Sequence, residues 1–201
     1  MSDLDPARIG CITASKITDM LAGGKGITRA RYAGILATER LSGKAHRSGF
    51  SSAALDHGKE FEPMARMKYE IRNGVMVLGT GVEFTPHPFI ANAGASLDGM
   101  VDDDGVVEFK NPDSHTHIGY LLAGEVPPAY KPQMLWQLAC SRRKWADFVS
   151  HDPDADERDG YFQIRYIPTA KEIAELESEV RRFDVEVELL MQKIISLRGT
   201  K

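Results

Sequence analysis

The sequence predicts an α/β (α+β) fold, in which a central mixed β-sheet is flanked by helices. Three observations predict it. Short segments rich in β-branched and aromatic residues are bracketed by segments of helical spacing, and the chain closes with a long amphipathic helix that must pack on something. No internal repeat or low-complexity tract interrupts this order. With 201 residues the chain is long enough to bury a core without disulfides, so we expect one domain over residues 1–201.

Capping residues and terminators define the predicted helices. Threonines precede the first two helical stretches, glycines follow them, and Asn73-Gly74 ends the third, which carries Glu62 in its interior. In chain order, we predict helices from Thr13 to Gly23, Thr28 to Gly43, Ser52 to Arg72, Ser114 to Leu122, Ala129 to Ser141 and Thr169 to about Leu197.

Strand segments fill most of the chain between the third and the last helix. They are short, apolar and separated by glycine, proline and acidic turns. We predict strands at Val75 to Leu78, Val82 to Phe84, Pro88 to Ile90, Ala95 to Val101, Val106 to Lys110, Lys144 to Ser150 and Tyr161 to Ile167.

The strands before and after the acidic turn at 102–105 read as a hairpin. If the hairpin is symmetric about Asp103, Asp98 stands opposite Glu108, and the strand period of two places Glu108 and Lys110 on the same face. Two carboxylates facing each other are destabilising unless a cation lies between them. The hairpin therefore predicts a site for a divalent cation with an ammonium group beside it.

Only hard oxygen ligands are available at this site, so we expect Mg²⁺, with Mn²⁺ as a substitute, held by Asp98, Glu108 and the backbone carbonyl of Phe109. Such an ion polarises a phosphodiester, while Lys110 orients or deprotonates the attacking water. Taken alone, Glu-x-Lys also fits the alternating charges of a half-buried strand, and Asp98-Gly99 also fits a simple turn. The order of these features after a helix with an interior acid favours metal-dependent hydrolysis.

Composition and charge exclude some classes of protein and leave others open. No apolar run is long enough to cross a bilayer, and the N-terminus lacks the pattern of a secretory signal, so we expect a cytoplasmic protein without a membrane partner. The net charge of −4 argues mildly against nucleic acid. Residues 1–50, however, hold eight Lys or Arg against four acids. This excess is compatible with a phosphate-facing surface or with a solvated helix face.

Four ordered motifs extend the pattern over most of the chain. Asp98-Gly99, followed by Glu108-Phe109-Lys110, resembles the signature of PD-(D/E)xK nucleases. The wider resemblance is to the lambda-exonuclease-like (YqaJ-type) viral alkaline exonucleases. The segments that carry it are Arg8-Ile9-Gly10-Cys11-Ile12-Thr13-Ala14-Ser15, Gly58-Lys59-Glu60-Phe61-Glu62 and Ala129-Tyr130-Lys131-Pro132-Gln133.

The resemblance implies a restriction-endonuclease-like fold and a role for each matched position. It implies that Asp98 and Glu108 are metal ligands, that Lys110 activates water and that Glu62 is an acid near the metal. Gln133 would support them. Arg8 and Ser15 would grip a terminal 5′-phosphate, in agreement with the affinity of a helix N-terminus and of arginine for anions.

The implied activity is a Mg²⁺-dependent 5′-to-3′ exonuclease that degrades linear double-stranded DNA from a 5′-phosphorylated end. It would release 5′-mononucleotides and leave a 3′ single strand for phage-type recombination. The resemblance further implies a ring-shaped homotrimer and a single-strand annealing protein as partner. Two alternatives stay open because fold does not fix function: a structure-specific or restriction-like endonuclease, and a non-catalytic DNA-binding module.

Overall fold

A computed structural model describes residues 5–23, 27–46, 53–79 and 83–198 of the chain. The helices are α1 (Ile17–Leu21), α2 (Thr28–Ser42), α3 (Ala53–Asn73), α4 (Ser114–Ala123), α5 (Lys131–Ser141) and α6 (Ala170–Arg198). The strands are β1 (Ile12–Thr13), β2 (Val77–Leu78), β3 (Phe84–Pro86), β4 (Ala93–Ser96), β5 (Gly99–Val101), β6 (Gly105–Lys110), β7 (Trp145–His151) and β8 (Tyr161–Tyr166). Short 3₁₀ turns lie at Pro6–Arg8 and Ala14–Lys16.

A five-stranded mixed sheet is the centre of the fold, with strand order β2-β5-β6-β7-β8. The β6–β7 pair is parallel, and the other pairs are antiparallel. The segment between β6 and β7 contains α4 and α5, because two parallel strands require a long crossover. β6 and β7 are almost entirely buried, since layers cover both faces of the sheet.

Several helices cover one face of this sheet, and a single helix, α3, covers the other. One face packs under α4 and α5, around Phe148 and Trp136, with α6 packed on α5 and α2 on α6. The other face packs under α3, where Tyr69 contacts the ring of Phe109. The predicted class, a mixed sheet flanked by helices, is confirmed. Among the described residues, no helix is both long and apolar enough to cross a membrane.

A second, three-stranded sheet lies beside the first, with strand order β1-β4-β3. The sequence predicts a single strand from Ala95 to Val101, and this prediction is wrong. The chain leaves one sheet after Ser96 and enters the other at Gly99. Leu97, between the two strands, is buried in the core cluster that includes the apolar residues of α5.

Other predicted boundaries need smaller corrections. Pro88 to Ile90 is a bend rather than a strand, whereas Phe84–Pro86 is a strand, in which Pro86 pairs with Gly94 of β4. Helix α5 begins at Lys131, two residues after the predicted start, with Pro132 in its first turn. The predicted boundaries at Ser52 and Val82 lie outside the described residues.

Candidate active site

The hairpin formed by β5 and β6 has the predicted register. Gly99 pairs with Val107 and Val101 with Gly105, a register that, continued by one residue beyond β5, sets Asp98 opposite Glu108. Asp98 lies at the crossing between the two sheets, where its Oδ2 accepts a hydrogen bond from the Phe109 N–H at 3.0 Å. The structure thus brings both acids to the same end of the hairpin.

Gly99 makes this arrangement possible. A Cβ at position 99 would lie 2.1 Å from Cγ1 of Val77 on β2 and 3.0 Å from Cγ1 of Val107 on β6. Only glycine therefore allows β5 to pack between its two neighbours directly after Asp98. The Asp-Gly pair is a packing requirement of the sheet rather than a simple turn.

Glu108 is fully buried and surrounded by hydrogen-bond donors. Its Oε1 accepts from Nζ of Lys110 and, at 2.5 Å, from Nε2 of Gln133. Its Oε2 accepts from Nε2 of Gln137. The predicted pairing of Glu108 with Lys110 on one strand face is present, and Gln133 lies beside it. A buried carboxylate held by three donors has a restricted orientation.

Gln137 is a site residue that the sequence reasoning missed. It is fully buried, and its Oε1 is the one atom of the amide with no partner among the described residues. The signal was the i, i+4 spacing of Gln133 and Gln137 on a helix whose other residues in between are apolar. An interior glutamine in such a helix must be satisfied by something in the core.

Burial and the nearby charge of Glu108 raise the pKa of Asp98 to about 8, and Glu62 contributes in the same direction. Burial by itself would lower the pKa of Lys110, but Glu108 and Asp98 together raise it above its usual value. The ammonium group is therefore charged at neutral pH. The site holds more negative charge than one lysine neutralises, as expected for a place where a cation binds.

Glu62 approaches this site from the opposite layer. It is half-buried in α3, which packs on the sheet face away from α5, and it is near enough to act on the charge of Asp98. Phe109, whose carbonyl is a predicted ligand, lies between Glu108 and Lys110 in β6 and is buried. The structure thus gathers Glu62, Asp98 and Glu108 near one end of β6.

The donor set fits a hard divalent cation. Carboxylates and a backbone carbonyl are ligands that Mg²⁺ accepts, and it binds through few protein groups because it retains water. No group of three or more His, Cys, Asp or Glu side chains with metal-binding geometry occurs within 5–23, 27–46, 53–79 and 83–198. The fit therefore rests on two carboxylates, their excess negative charge and the orphaned Gln137 oxygen.

Arg8 lines a groove of about 720 Å³, whereas Ser15 is not among the residues that line it. Arg8 ends a 3₁₀ turn and lines the groove together with Lys16, Arg31 and His46. Ser15 is exposed in the next 3₁₀ turn. Its turn follows β1, which runs parallel to β4, so Ser15 and Asp98 leave neighbouring strands at the same edge.

The helix N-terminus expected at Thr13 is weaker than predicted. Thr13 makes no side-chain cap, and its N–H donates to the hydroxyl of Tyr32 at 3.1 Å. A 3₁₀ turn and then the five-residue α1 follow, and such a short helix has little macrodipole. An anion here would depend on side chains more than on helix ends.

Of the eight basic residues in 1–50, Arg29 and Arg40 form ion pairs with acids of α6. Arg40 contacts Asp184 at 2.7 Å and Glu188 at 2.9 Å, and Arg29 contacts Glu186 at 2.7 Å. These acids all lie on α6. The sequence pattern is compatible with a phosphate-facing surface or a solvated helix face and does not indicate ion pairs with α6. These pairs leave fewer basic side chains for a phosphate-facing surface.

Comparisons with known proteins identify the family of the chain and its fold. The family described as the YqaJ-like viral recombinase domain matches residues 4–144, a range that contains Arg8, Ser15, Glu62, Asp98 and Glu108–Gln133. No curated protein that was compared matches the chain.

Solved structures match over the full length. An alkaline exonuclease, LHK-Exo, from Laribacter hongkongensis is 36% identical, with a TM-score of 0.90 over 100% of this chain and 99% of that one. The structure of LHK-Exo in complex with dAMP matches at 37% identity and the same TM-score and coverage. A phage-related exonuclease from Haemophilus somnus 129PT is 13% identical with a TM-score of 0.71 over 92% of this chain and 96% of that one, a likeness of fold alone.

Proposed function

The chain belongs to the family of YqaJ-like viral recombinase domains, and on that premise we propose that it is a Mg²⁺-dependent exonuclease acting on linear double-stranded DNA. It degrades the strand that ends in a 5′-phosphate, in the 5′-to-3′ direction, and releases 5′-mononucleotides. The observation that carries the proposal is the meeting of Asp98, Glu108 and Lys110 at one end of the β5–β6 hairpin.

In this proposal, Asp98, Glu108 and the Phe109 carbonyl would hold the ion, and Glu62 would contribute directly or through water. Bound Mg²⁺ would supply Lewis-acid polarisation of the phosphodiester and a lowered pKa for the attacking water. Lys110 stays charged beside Glu108 and orients that water toward phosphorus. Gln133 and Gln137 keep the Glu108 carboxylate in one orientation, since each donates to a different oxygen.

Recognition of the 5′ end is assigned to Arg8 and Ser15. Arg8 can make bidentate contacts with a phosphate, and Ser15 offers an exposed hydroxyl at the strand edge shared with Asp98. The complex of LHK-Exo with dAMP supports a nucleotide as ligand or product of this fold. The direction of digestion rests on the family resemblance, which assigns the 5′-phosphate to these residues.

The biological setting is part of the same proposal. The 3′ single strand left by digestion would feed phage-type recombination through a single-strand annealing protein. The active form would be a homotrimeric ring in which residues 1–201 of each subunit form one domain. The family description as a viral recombinase domain supports the recombination role.

A substrate panel tests the proposed activity. We expect digestion of linear duplex DNA in Mg²⁺, none in chelator, and faster digestion when the 5′ end carries phosphate. Covalently closed circular DNA should survive until it is linearised, because the enzyme needs an end. Nicking of the closed circle would favour the endonuclease alternative, and DNA binding without digestion would favour the non-catalytic module.

Arg8→Gln tests whether Arg8 recognises the 5′-phosphate. This substitution removes the guanidinium and leaves the hairpin untouched. The rate on 5′-phosphorylated ends should fall toward the rate on 5′-hydroxyl ends. Unchanged discrimination between the two ends would exclude Arg8 from phosphate recognition.

The stabilisation of the protein by Mg²⁺ should increase with pH. In the unfolded chain Asp98 has the ordinary aspartate pKa of 3.8, whereas burial and Glu108 raise its pKa in the folded, metal-free protein to about 8. Because the folded state binds the proton more tightly, the free energy of unfolding without metal should fall as pH rises from about 4 to about 8. Metal binding requires the ionised form, so Mg²⁺ affinity should rise about tenfold per pH unit over pH 6 to 8.

Melting curves in Mg²⁺ and in chelator at several pH values measure this effect. The difference in Tm should grow up to about pH 8 and then level off. Asp98→Asn should remove both the Mg²⁺ shift and its pH dependence. A Mg²⁺ shift of equal size at pH 6 and pH 9 would contradict the expectation.

A further inference from the structure

The residue after Lys110 connects the two layers of the active site. Asn111 is half-buried, and its Nδ2 donates to the carbonyl oxygen of Gly58 in α3 at 3.2 Å. Its Oδ1 contacts Nδ1 of His151, at the end of β7, at 3.3 Å. One side chain thus joins the end of β6, the end of β7 and the first turns of α3.

The Gly58 carbonyl lies in the same helical turn as Glu62. In an α-helix the carbonyl of residue i faces the N–H of residue i+4, so the Gly58 oxygen lies in the turn that presents Glu62. A hydrogen bond from Asn111 to this oxygen fixes that turn to the residue following Lys110. This hydrogen bond adds to the packing of Tyr69 on Phe109, and it is the contact that joins the Glu62 turn to the end of β6.

One orientation of the Asn111 amide satisfies both of its hydrogen bonds. Because Nδ2 must donate to a carbonyl, Oδ1 faces His151, and Nδ1 of the imidazole must carry the hydrogen. His151 is fully buried and its Nε2 has no partner among the described residues. Burial, followed by the charge of Lys68, lowers the pKa of His151 to about 4, so the ring stays neutral.

The residue before His151 in β7 takes part in a buried chain of hydrogen bonds. Ser150, the register partner of Lys110 in the β6–β7 ladder, is fully buried and 2.8 Å from Nδ1 of His117. Nε2 of His117 donates to the carbonyl of Asp159 at 2.7 Å, tying down the loop after β7. His117 lies within the predicted helix, in α4, and is fully buried.

We propose that Asn111, held by His151, is a positioning residue that fixes the Glu62 turn of α3 against the Asp98–Glu108–Lys110 site. The inference rests on the proposed function, because it needs Glu62 to act near the metal. A purely structural role would change stability without changing Mg²⁺ affinity. The positioning role changes Mg²⁺ affinity and kcat while the protein stays folded.

The test compares Asn111→Ala with Asn111→Asp. The aspartate keeps the size of the side chain but places an oxygen against the Gly58 oxygen, so both variants lose the donor. We expect each to weaken Mg²⁺ binding, measured by titration calorimetry without DNA, by about 10- to 100-fold, the usual range for residues that support metal ligands. kcat at saturating Mg²⁺ should fall and the KM for DNA should stay near its original value. Wild-type Mg²⁺ affinity in Asn111→Ala would overturn the proposal.

Two variants of His151 provide a second, independent test of the proposal. His151→Asn retains an N–H near the position of Nδ1 and should preserve most of the Mg²⁺ affinity, whereas His151→Leu should lose it. If both substitutions weaken Mg²⁺ binding to the same extent while both proteins stay folded, His151 does not act through its Nδ1 hydrogen and the proposal fails.

A double-mutant cycle with Glu62→Gln separates this inference from the proposed function. If Asn111 acts through Glu62, adding Asn111→Ala to Glu62→Gln should cost little further Mg²⁺ affinity. If Glu62→Gln weakens binding and the Asn111→Ala loss adds fully to it, the role of Glu62 stands and the positioning role is overturned. If Glu62→Gln leaves Mg²⁺ affinity unchanged, the role of Glu62 and the inference built on it are both wrong.

Discussion

Asp98→Asn should reduce Mg²⁺-dependent DNA cleavage by at least about a thousandfold, which corresponds to about 4 kcal/mol of lost transition-state stabilisation. The neutral amide removes a charged ligand from the proposed ion. The fold should not suffer, because the amide oxygen can still accept from the Phe109 N–H. Burial and Glu108 already favour the neutral form of Asp98, as its raised pKa indicates.

Asp98→Asn should also change the melting temperature of the metal-free protein, by an amount that depends on pH. In chelator at pH 9 the ionised Asp98 repels Glu108, so Asp98→Asn should melt at a higher temperature than the original protein. At pH 5, where Asp98 is protonated in the folded state, the two should melt close together. DNA binding should be largely retained. Undiminished digestion would remove Asp98 from the mechanism, and a lower Tm at pH 9 would contradict the electrostatic account.

Glu108→Gln should abolish cleavage to a similar extent but should also destabilise the protein. Three donors, on Lys110, Gln133 and Gln137, converge on the two carboxylate oxygens. An amide has a single oxygen, so its NH₂ must face at least one of these donors, and the ammonium of Lys110 loses its partner. Breaking such a buried pair costs about 3 kcal/mol or more.

Melting in chelator measures the contrast, because the same chemical change is made at both acids. Glu108→Gln should lower Tm by roughly 6–12 °C, given a shift of about 2–4 °C per kcal/mol for a chain of this size. Asp98→Asn is the matched control. We expect opposite shifts at pH 9, because hydrogen bonds stabilise the Glu108 carboxylate whereas Glu108 repels the Asp98 carboxylate. Shifts of Tm in the same direction would contradict this difference between the two acids.

Local patterns were enough to predict the core of the candidate site. A turn of acidic residues between two apolar segments specifies a hairpin, and its symmetry about Asp103 specifies the register that pairs Gly99 with Val107. The period of two then places Glu108 and Lys110 on one face. These rules act over a few residues, so no knowledge of the remaining chain was needed.

Contacts between distant segments could not be predicted in the same way. Gln137 meets Glu108 only because α5 packs on the β6 face, and Arg40 meets Asp184 across 144 positions because α2 packs on α6. Asn111 reaches Gly58 across 53 positions for the same kind of reason. Helical spacing predicts which face is apolar but not which element covers it.

The sequence by itself determined the hairpin, its register and the shared face of Glu108 and Lys110, because turn chemistry and side-chain alternation are properties of neighbouring residues. Only the tertiary structure decided that the chain changes sheets at Leu97, that Gln137 joins the site and that Asn111 ties it to α3. These features depend on how separate elements pack, and packing is determined by the shapes of surfaces that lie far apart along the chain.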